Sequence, residues 1–327
     1  MLFRRISSVA IVATLLVGAC GSDSSLDTER AESTTSTADT PSEATTTAPS
    51  ETTTSLPPSG PVAVADAADP TSLAARIVAA ERTTRSPDTS DAEVRAAAFT
   101  LQQSYRQLGR LPEWDEAVLA ETPDDLRSAV TANAEARRQF RGMHSKLSDT
   151  LPAWRIVEPP PADELLSYYR EAEATFGVPW EVLAAVNLVE TGMGRIRGTS
   201  VAGAQGPMQF IPATWDAFGD GGDINDFHDA IMGAARYLAH NGGGSGDLDT
   251  ALWNYNHSDR YVAGVKHYAS VMTEDPAAFN GFYHWQIVYL STSGDVWLPV
   301  GFEQLERIAV TDYIAANPGH HLGTSTA

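Results

Sequence analysis

The stretch "FGVPWEVLAAVNLVETGMG", Phe176 to Gly194, decides how the chain is read. Pro179 suits the first turn of a helix, where its missing N–H costs nothing. Val182, Leu183, Val186, Leu188 and Val189 then fall on most sides of that helix rather than along one stripe. Such a helix belongs inside a protein. Gly192 supplies the stop. Just before it stands Glu190, near Val186 and Asn187 one turn earlier. Partial burial and the negative end of the helix dipole both disfavour its ionised form. A carboxylic acid held protonated near neutral pH can act as a general acid. The other reading of the same residue is an ordinary surface glutamate in a frayed last turn.

Working outward, the segment lies in a helical neighbourhood. Leu165, Leu166, Tyr169, Ala172 and Phe176 mark an amphipathic helix before it. After it, Asp229 is expected to cap a helix running through His240 and closed by Asn241-Gly242, with further helices at about 247–255 and 259–273. Upstream, helical signals begin near Pro70. Ser90 and Glu93 form a capping box ahead of Val94, Ala98, Leu101, Tyr105 and Leu108, spaced alternately four and three apart. Thr122-Pro123 reads as a cap and first-turn proline for a helix to about His144. Late in the chain, "YHWQIVYLSTSGDVWLPVG" (283–301) turns aromatic and β-branched around Ser293-Gly294-Asp295, the pattern of a hairpin.

The fold expected is therefore mainly α. A helical accessory region spans 70–155, a denser helical domain 160–275, and a short β-hairpin with a tail 276–327. The front of the chain is different. Met1 to Arg5 are short and basic, Ile6 to Gly18 mostly apolar, and Val17-Gly18-Ala19 precede Cys20. The apolar run is too short to span a bilayer but suits a signal peptide over 1–19. Cys20 is the single cysteine, which excludes an internal disulfide and a cysteine-based metal site. Its position resembles the lipobox of bacterial lipoproteins, which implies lipidation at Cys20 and attachment to the outer face of a cell membrane. Residues 20–65 are rich in Ser, Thr, Pro and acid, with too few large apolar side chains to offset the cost of ordering. About 40 such residues span ~35 Å as a coil, enough to hold a folded part off a membrane. The formal net charge of −20 makes nucleic acid an unsuitable partner.

Two further stretches carry candidate chemistry. "GAQGPMQFIPATW" (203–215) sets a glycine–proline turn before a helix begun by Pro212. It reads either as a plain loop or as a sugar-binding edge, since the Gln209 amide both donates and accepts. "ALWNYNHSDRYV" (251–262) offers the flat faces of Trp253, Tyr255 and Tyr261 and the amides of Asn254 and Asn256. Aromatic faces with polar handles suit carbohydrate, and at helix ends they also serve as core.

Together these motifs resemble the lytic murein transglycosylases of the goose-lysozyme-like (SLT) superfamily, which cleave bacterial cell-wall glycan. Their pattern is glutamate followed by Ser or Thr and Gly, a glycine-rich MQ turn, and a later aromatic-Asn pair. Here these are Glu190-Thr191-Gly192, Gly206-Pro207-Met208-Gln209 with Pro212, Thr214 and Trp215, and Tyr255-Asn256. The wording "GPMQFIPATW" is most similar to the membrane-bound lytic transglycosylase B branch. The resemblance covers about 160–275 and implies a lysozyme-like catalytic domain. It implies Glu190 as catalytic acid and base. Thr191, Met208, Gln209, Tyr255 and Asn256 would then form the substrate-binding set, with Tyr255 near the carboxyl group. Thr191 stands where the family often has serine, and His257-Ser258 where many members have Ala-Gly.

What the resemblance implies chemically is cleavage of the β-1,4 bond between N-acetylmuramic acid and N-acetylglucosamine in peptidoglycan, leaving 1,6-anhydro-muramic acid ends. A hydrolase ordinarily uses two carboxylates ~5 to 9.5 Å apart. No second acid lies within the three motifs, although Asp216 or Asp223 reaching the site would favour lysozyme-like hydrolysis. A non-catalytic peptidoglycan-binding lipoprotein is the remaining alternative. No cofactor is expected. The resemblance raises a calcium loop at "GDGGDINDFHDA" (219–230), where alternate positions from Asp220 give Gly222 and Ile224 instead of oxygen ligands. Asp223 and Asn225 could ligate, but a turn capping the next helix is the reading adopted, with no metal. The histidines show no HExxH spacing for zinc.

Overall fold

The computed structural model describes residues 61–323. The readings of the leader, Cys20 and most of the linker fall outside those residues. In chain order the elements are α1 (Pro70–Arg85), α2 (Asp91–Arg110), α3 (Asp115–Glu121), α4 (Asp124–Gly142), β1 (Thr150–Leu151), β2 (Arg155–Ile156), α5 (Ala162–Phe176) and α6 (Trp180–Thr191). There follow β3 (Ile196–Arg197), α7 (Pro212–Phe218), α8 (Phe227–His240), α9 (Leu248–Tyr255), α10 (Asp259–Glu274), α11 (Ala278–Tyr283), β4 (Ile287–Ser291), β5 (Gly294–Leu298), β6 (Ile308–Ala309) and α12 (Val310–Ala316). The protein is mainly helical, as its periodicities require.

Helix α6 is the central element. Every residue from Val182 to Thr191 is buried, and α10, α5 and α8 pack around it. Gly192 ends it in the left-handed conformation, φ 62°, and its N–H returns to the Leu188 carbonyl at 2.9 Å. That is the stop expected of a glycine just past the last turn.

Helix α10 is held from both sides. α6 lies on one flank and α4 on the other, and Phe140 of α4 presses its ring onto Gly264. A Cβ added at Gly264 would stand 2.5 Å from Phe140 Cζ. One continuous apolar core therefore runs from Leu73 and Ile77 of α1 through α6 to Phe282 and Trp285. A second cluster, with Leu151, Trp154, Ile156, Tyr289, Val296 and Leu298 among its members, lies under the short strands.

Of four local readings, one holds and three are refined. The Ser90–Glu93 capping box is present in both directions. Thr122 does not cap α4: its hydroxyl donates back to the Val118 carbonyl at 2.7 Å, closing α3, and Pro123 occupies the cap position without a side-chain bond. The cap of α8 is Asp226, which accepts from the Asp229 N–H at 3.0 Å, so Asp229 belongs to the first turn instead. The hairpin pairs Ile287 with Leu298 through Ser291 with Gly294, which places the turn at Thr292-Ser293 and puts Gly294-Asp295 within β5. Two additional ladders, β1–β6 and β2–β3, each pair two residues from distant segments.

Candidate active site

The site is assembled on the C-terminal end of α6. Glu190 is 1% exposed, although its carboxyl is not part of a salt bridge among the described residues. Its Oε1 accepts a hydrogen bond from the Tyr261 hydroxyl at 2.8 Å. Its Oε2 is buried with no partner. Burial pushes the Glu190 carboxyl up to about 8, opposed only by the Tyr261 hydrogen bond. Without a cation to compensate desolvation, the neutral acid is the favoured form. Tyr261 reaches Glu190 from the first turn of α10, where Ser258 caps the helix by accepting the Tyr261 N–H.

The glycine–proline turn is tied to α6 by a buried polar knot. The Thr191 hydroxyl donates to the Pro207 carbonyl at 2.6 Å, and the Asn187 Nδ2 donates to the same oxygen at 2.8 Å. Tyr169 then donates its hydroxyl to Asn187 Oδ1 at 2.6 Å, and the Gly194 N–H bonds Thr191 Oγ1 at 3.0 Å. Thr191 is fully buried. With its hydroxyl committed inside the protein, it positions the turn and offers no group to a substrate, in contrast to its expected place among substrate contacts.

The turn itself is constrained. Gln205 and Phe210 bridge its base, and Gln209 takes φ 52°, a conformation disfavoured by about 1–2 kcal/mol for a side-chain-bearing residue. Gly206 has no alternative: a Cβ there would lie 1.8 Å from the Ile224 carbonyl oxygen. Met208 and Gln209 are fully buried. Gln209 donates its Nε2 to the Gly206 carbonyl at 2.9 Å, while its Oε1 has no partner.

Tyr255 closes the arrangement from α9. Its hydroxyl donates to the Met208 carbonyl at 2.6 Å, and its ring stacks parallel on Tyr261, centroids 6.4 Å apart. So Tyr255 comes near the carboxyl through Tyr261, the hydrogen-bonding partner that the motifs did not reveal. Asn256 is 5% exposed, with Nδ2 buried and unpartnered. Trp253 faces away from this cluster. It is 43% exposed and lines a cleft of about 830 Å³ on the outer side of α9 and α10, beside Asp249, Asp259 and Lys266. Its alternation with Tyr255 follows from helix geometry, since two residues turn the helix by about 200°.

Buried polar atoms nearly always find partners. Glu190 Oε2, Gln209 Oε1 and Asn256 Nδ2, one from each motif, do not. They are three of fourteen such atoms among the described residues, and the three motifs are where an acid, an acceptor and a donor of this kind occur together in sequence.

Residues 167–273 match the family model described as the transglycosylase SLT domain. The matched segment is about a third of the chain. Over 121 residues the chain is 33% identical to the membrane-bound lytic murein transglycosylase F of Thiobacillus denitrificans, a match covering 37% of this chain and 25% of that relative. The chain thus spans about a quarter of the relative's length. That relative is of the F type, whereas the "GPMQFIPATW" wording resembles the B branch. No solved structure matches the chain. Glu190, the turn and Tyr255 all lie inside the matched segment.

The loop after α7 closes on itself. Asp223 Oδ1 accepts the Asn225 N–H at 2.9 Å, and Asp229 Oδ2 accepts the Asp223 N–H at 2.9 Å. Asp226, His228 and Asp229 bring ligand-type atoms within 4.8 Å of one another, the one such group among the described residues. Both carboxylates in that group already accept backbone N–H bonds, which the turn and helix cap account for. Asp216 and Asp223 are exposed, unlike Glu190.

Proposed function

We propose that the protein is a lytic murein transglycosylase that cleaves the β-1,4 bond between N-acetylmuramic acid and N-acetylglucosamine and leaves a 1,6-anhydro end. The observation that carries this reading is the Glu190 carboxyl: buried, raised to about 8, and bonded through Oε1 alone. At neutral pH the group is protonated, and Oε2 is the oxygen left to hold the proton. Glu190 gives that proton to the glycosidic oxygen as the C1–O bond breaks. The substrate's N-acetyl group stabilises the developing positive charge at C1. Glu190, now a carboxylate in a site that disfavours its charge, then takes the proton of the muramic C6 hydroxyl as C6–O closes onto C1. The proton balance is zero over the cycle, and water is not consumed.

No second carboxylate contributes to the Glu190 shift among the described residues. This supports one residue acting twice over the paired carboxylates of a hydrolase. Tyr261 orients the acid, Tyr255 and Thr191 hold the turn, and Gln209 and Asn256 supply the unmatched polar atoms for the sugar. In this reading Cys20 is lipidated and residues 20–65 act as a tether, which places the enzyme outside the cytoplasmic membrane beside its substrate. No helix among the described residues is long and apolar enough to cross a membrane.

Digestion of purified peptidoglycan followed by mass spectrometry of the muropeptides tests the reaction. Fragments one water lighter than hydrolysis products, absent with Glu190→Gln, are expected. Reducing ends would instead identify a muramidase, and no cleavage by the unsubstituted protein would leave a peptidoglycan-binding lipoprotein. For the anchor, Cys20→Ala is expected to move the protein out of the membrane fraction; unchanged partitioning would defeat that part of the reading.

A further inference from the structure

A chain of net charge −20 concentrates five arginines around one cavity. Arg106 and Arg110 come from α2, Arg137, Arg138 and Arg141 from α4, and the remaining wall includes His144 with Leu290 and Asp295 of the β4–β5 hairpin. The cavity holds about 370 Å³, within the range of small-ligand sites. Of the residues that line it, five are arginines and one, Asp295, is an acid.

The pairing leaves a surplus. Arg106 bonds Asp295 at 2.5 Å, and Arg110 pairs with Asp66 at 2.8 Å while standing 3.8 Å from Asp295. Arg138 is held by Asp115 and Glu135 at 2.7 and 2.6 Å. Arg137 and Arg141 form no ion pair among the described residues. Arg137 has for company the Tyr268 hydroxyl and, at longer range, Asp295, which Arg106 already holds, and Arg141 donates a long 3.4 Å bond to the His144 carbonyl. Arg137 and Arg141 are half-buried, and like charges crowded together without a counter-charge favour a ligand of opposite charge. Planar guanidinium forks match the oxygen spacing of carboxylate and phosphate.

We propose that the cavity between α2, α4 and the β4–β5 hairpin is an oxyanion-binding site, which takes a ligand bearing phosphate or carboxylate oxygens through Arg137 and Arg141. It is separate from the Glu190 cluster and does not depend on the reaction assigned there. His144 provides an internal reporter. Burial and then Arg141, Arg137 and Arg106 hold its imidazole down at about 4, so it is neutral at pH 7, and an anion bound beside it must raise that value.

The test is titration of the full chain in low-salt buffer, followed by calorimetry and by the proton NMR signal of His144, assigned with His144→Gln. The probes are inorganic phosphate, a short peptide with a free C-terminal carboxylate, and the same peptide amidated. Saturable binding of phosphate, or of the free-acid peptide but not its amide, supports the site and identifies the source of the oxygens. Binding should weaken at least about tenfold in Arg141→Gln and as salt rises, and stay unchanged in Arg127→Gln, whose side chain is 49% exposed outside the cavity. The His144 titration should move upward with ligand. The proposal fails if no probe binds saturably, if Arg141→Gln binds as well as the unsubstituted protein while melting at the same temperature, or if His144 does not respond at saturation.

Discussion

Glu190 and Asp295 are both buried acids, at 1% and 4% exposure, and they meet opposite fates. Glu190 sits on an apolar helix with one phenol for company, and desolvation raises it to about 8. Asp295 lies under Arg106, Arg137 and Arg110, which hold its carboxyl below the ordinary aspartate value despite its burial. Burial sets the size of the stakes, and the neighbouring charge decides which protonation state wins. One region keeps an acid that can give up a proton. The other keeps an anion that organises cations.

The largest effect expected from breaking this contrast is at Glu190. Glu190→Gln should lower the rate of peptidoglycan cleavage about 10²- to 10⁴-fold, the usual weight of a general acid, in a muropeptide-release assay. The same substitution should relieve the folded state at high pH. The folded-state value lies above the reference value of 4.5, so the folded form binds the proton more tightly. Its contribution to stability is full below pH 4.5 and is lost as pH rises through about 8. The gap corresponds to at most ~5 kcal/mol. Urea melts should therefore find Glu190→Gln more stable than the unsubstituted protein at pH 9, with the advantage gone by pH 4.

Next in size is Asp295→Asn. It should cost about 3–5 kcal/mol at pH 7, because Arg106 is left buried without its counter-charge. Here the sign is reversed: the stability that Asp295 provides is present above the ordinary aspartate value and is lost as pH falls through its lowered folded-state value. Equal pH dependence for the two acids would collapse the comparison. Thr191→Val keeps the shape but removes the donor to the Pro207 carbonyl, and should cost about 1–2 kcal/mol and reduce cleavage, while Thr191→Ser restores both. A Thr191→Val protein that melts and cleaves normally would remove the polar knot from the account. The smallest effect is expected from Tyr261→Phe. Its hydroxyl lowers the Glu190 value, so its loss should move the alkaline limb of the pH–rate profile slightly upward, and a downward movement would contradict the assignment.

The two regions also differ in how far the sequence revealed them. Helix α6 was legible because a run of apolar residues closed by Gly192 has only one comfortable solution, and its acid was conspicuous for the same reason. The Ser90–Glu93 box was legible because both partners lie within one turn. Thr122 and Asp229 resemble caps in sequence, but at helix starts several polar residues compete for the same N–H groups and geometry chooses others. Tyr261 stood in view as an aromatic, but its bond to Glu190 joins residues 71 apart, and no local pattern encodes that. The ladders β1–β6 and β2–β3 are two residues long, too short to show alternation. The arginine cavity was hidden as well. Its residues come mainly from two helices and a hairpin that are distant in sequence, brought together by the packing of α4 against α2 and α10.

The contact of Phe140 with Gly264 couples two stretches of chain sterically. The segment matched by the SLT family ends at residue 273 and begins at 167, yet on its α10 surface it carries a dent filled by a ring from residue 140. Neither partner can drift alone. A larger residue at 264 needs a smaller one at 140, and a smaller one at 140 opens a void that only the other helix can close. The helix that ends the matched segment is therefore shaped by a side chain that lies before the segment begins.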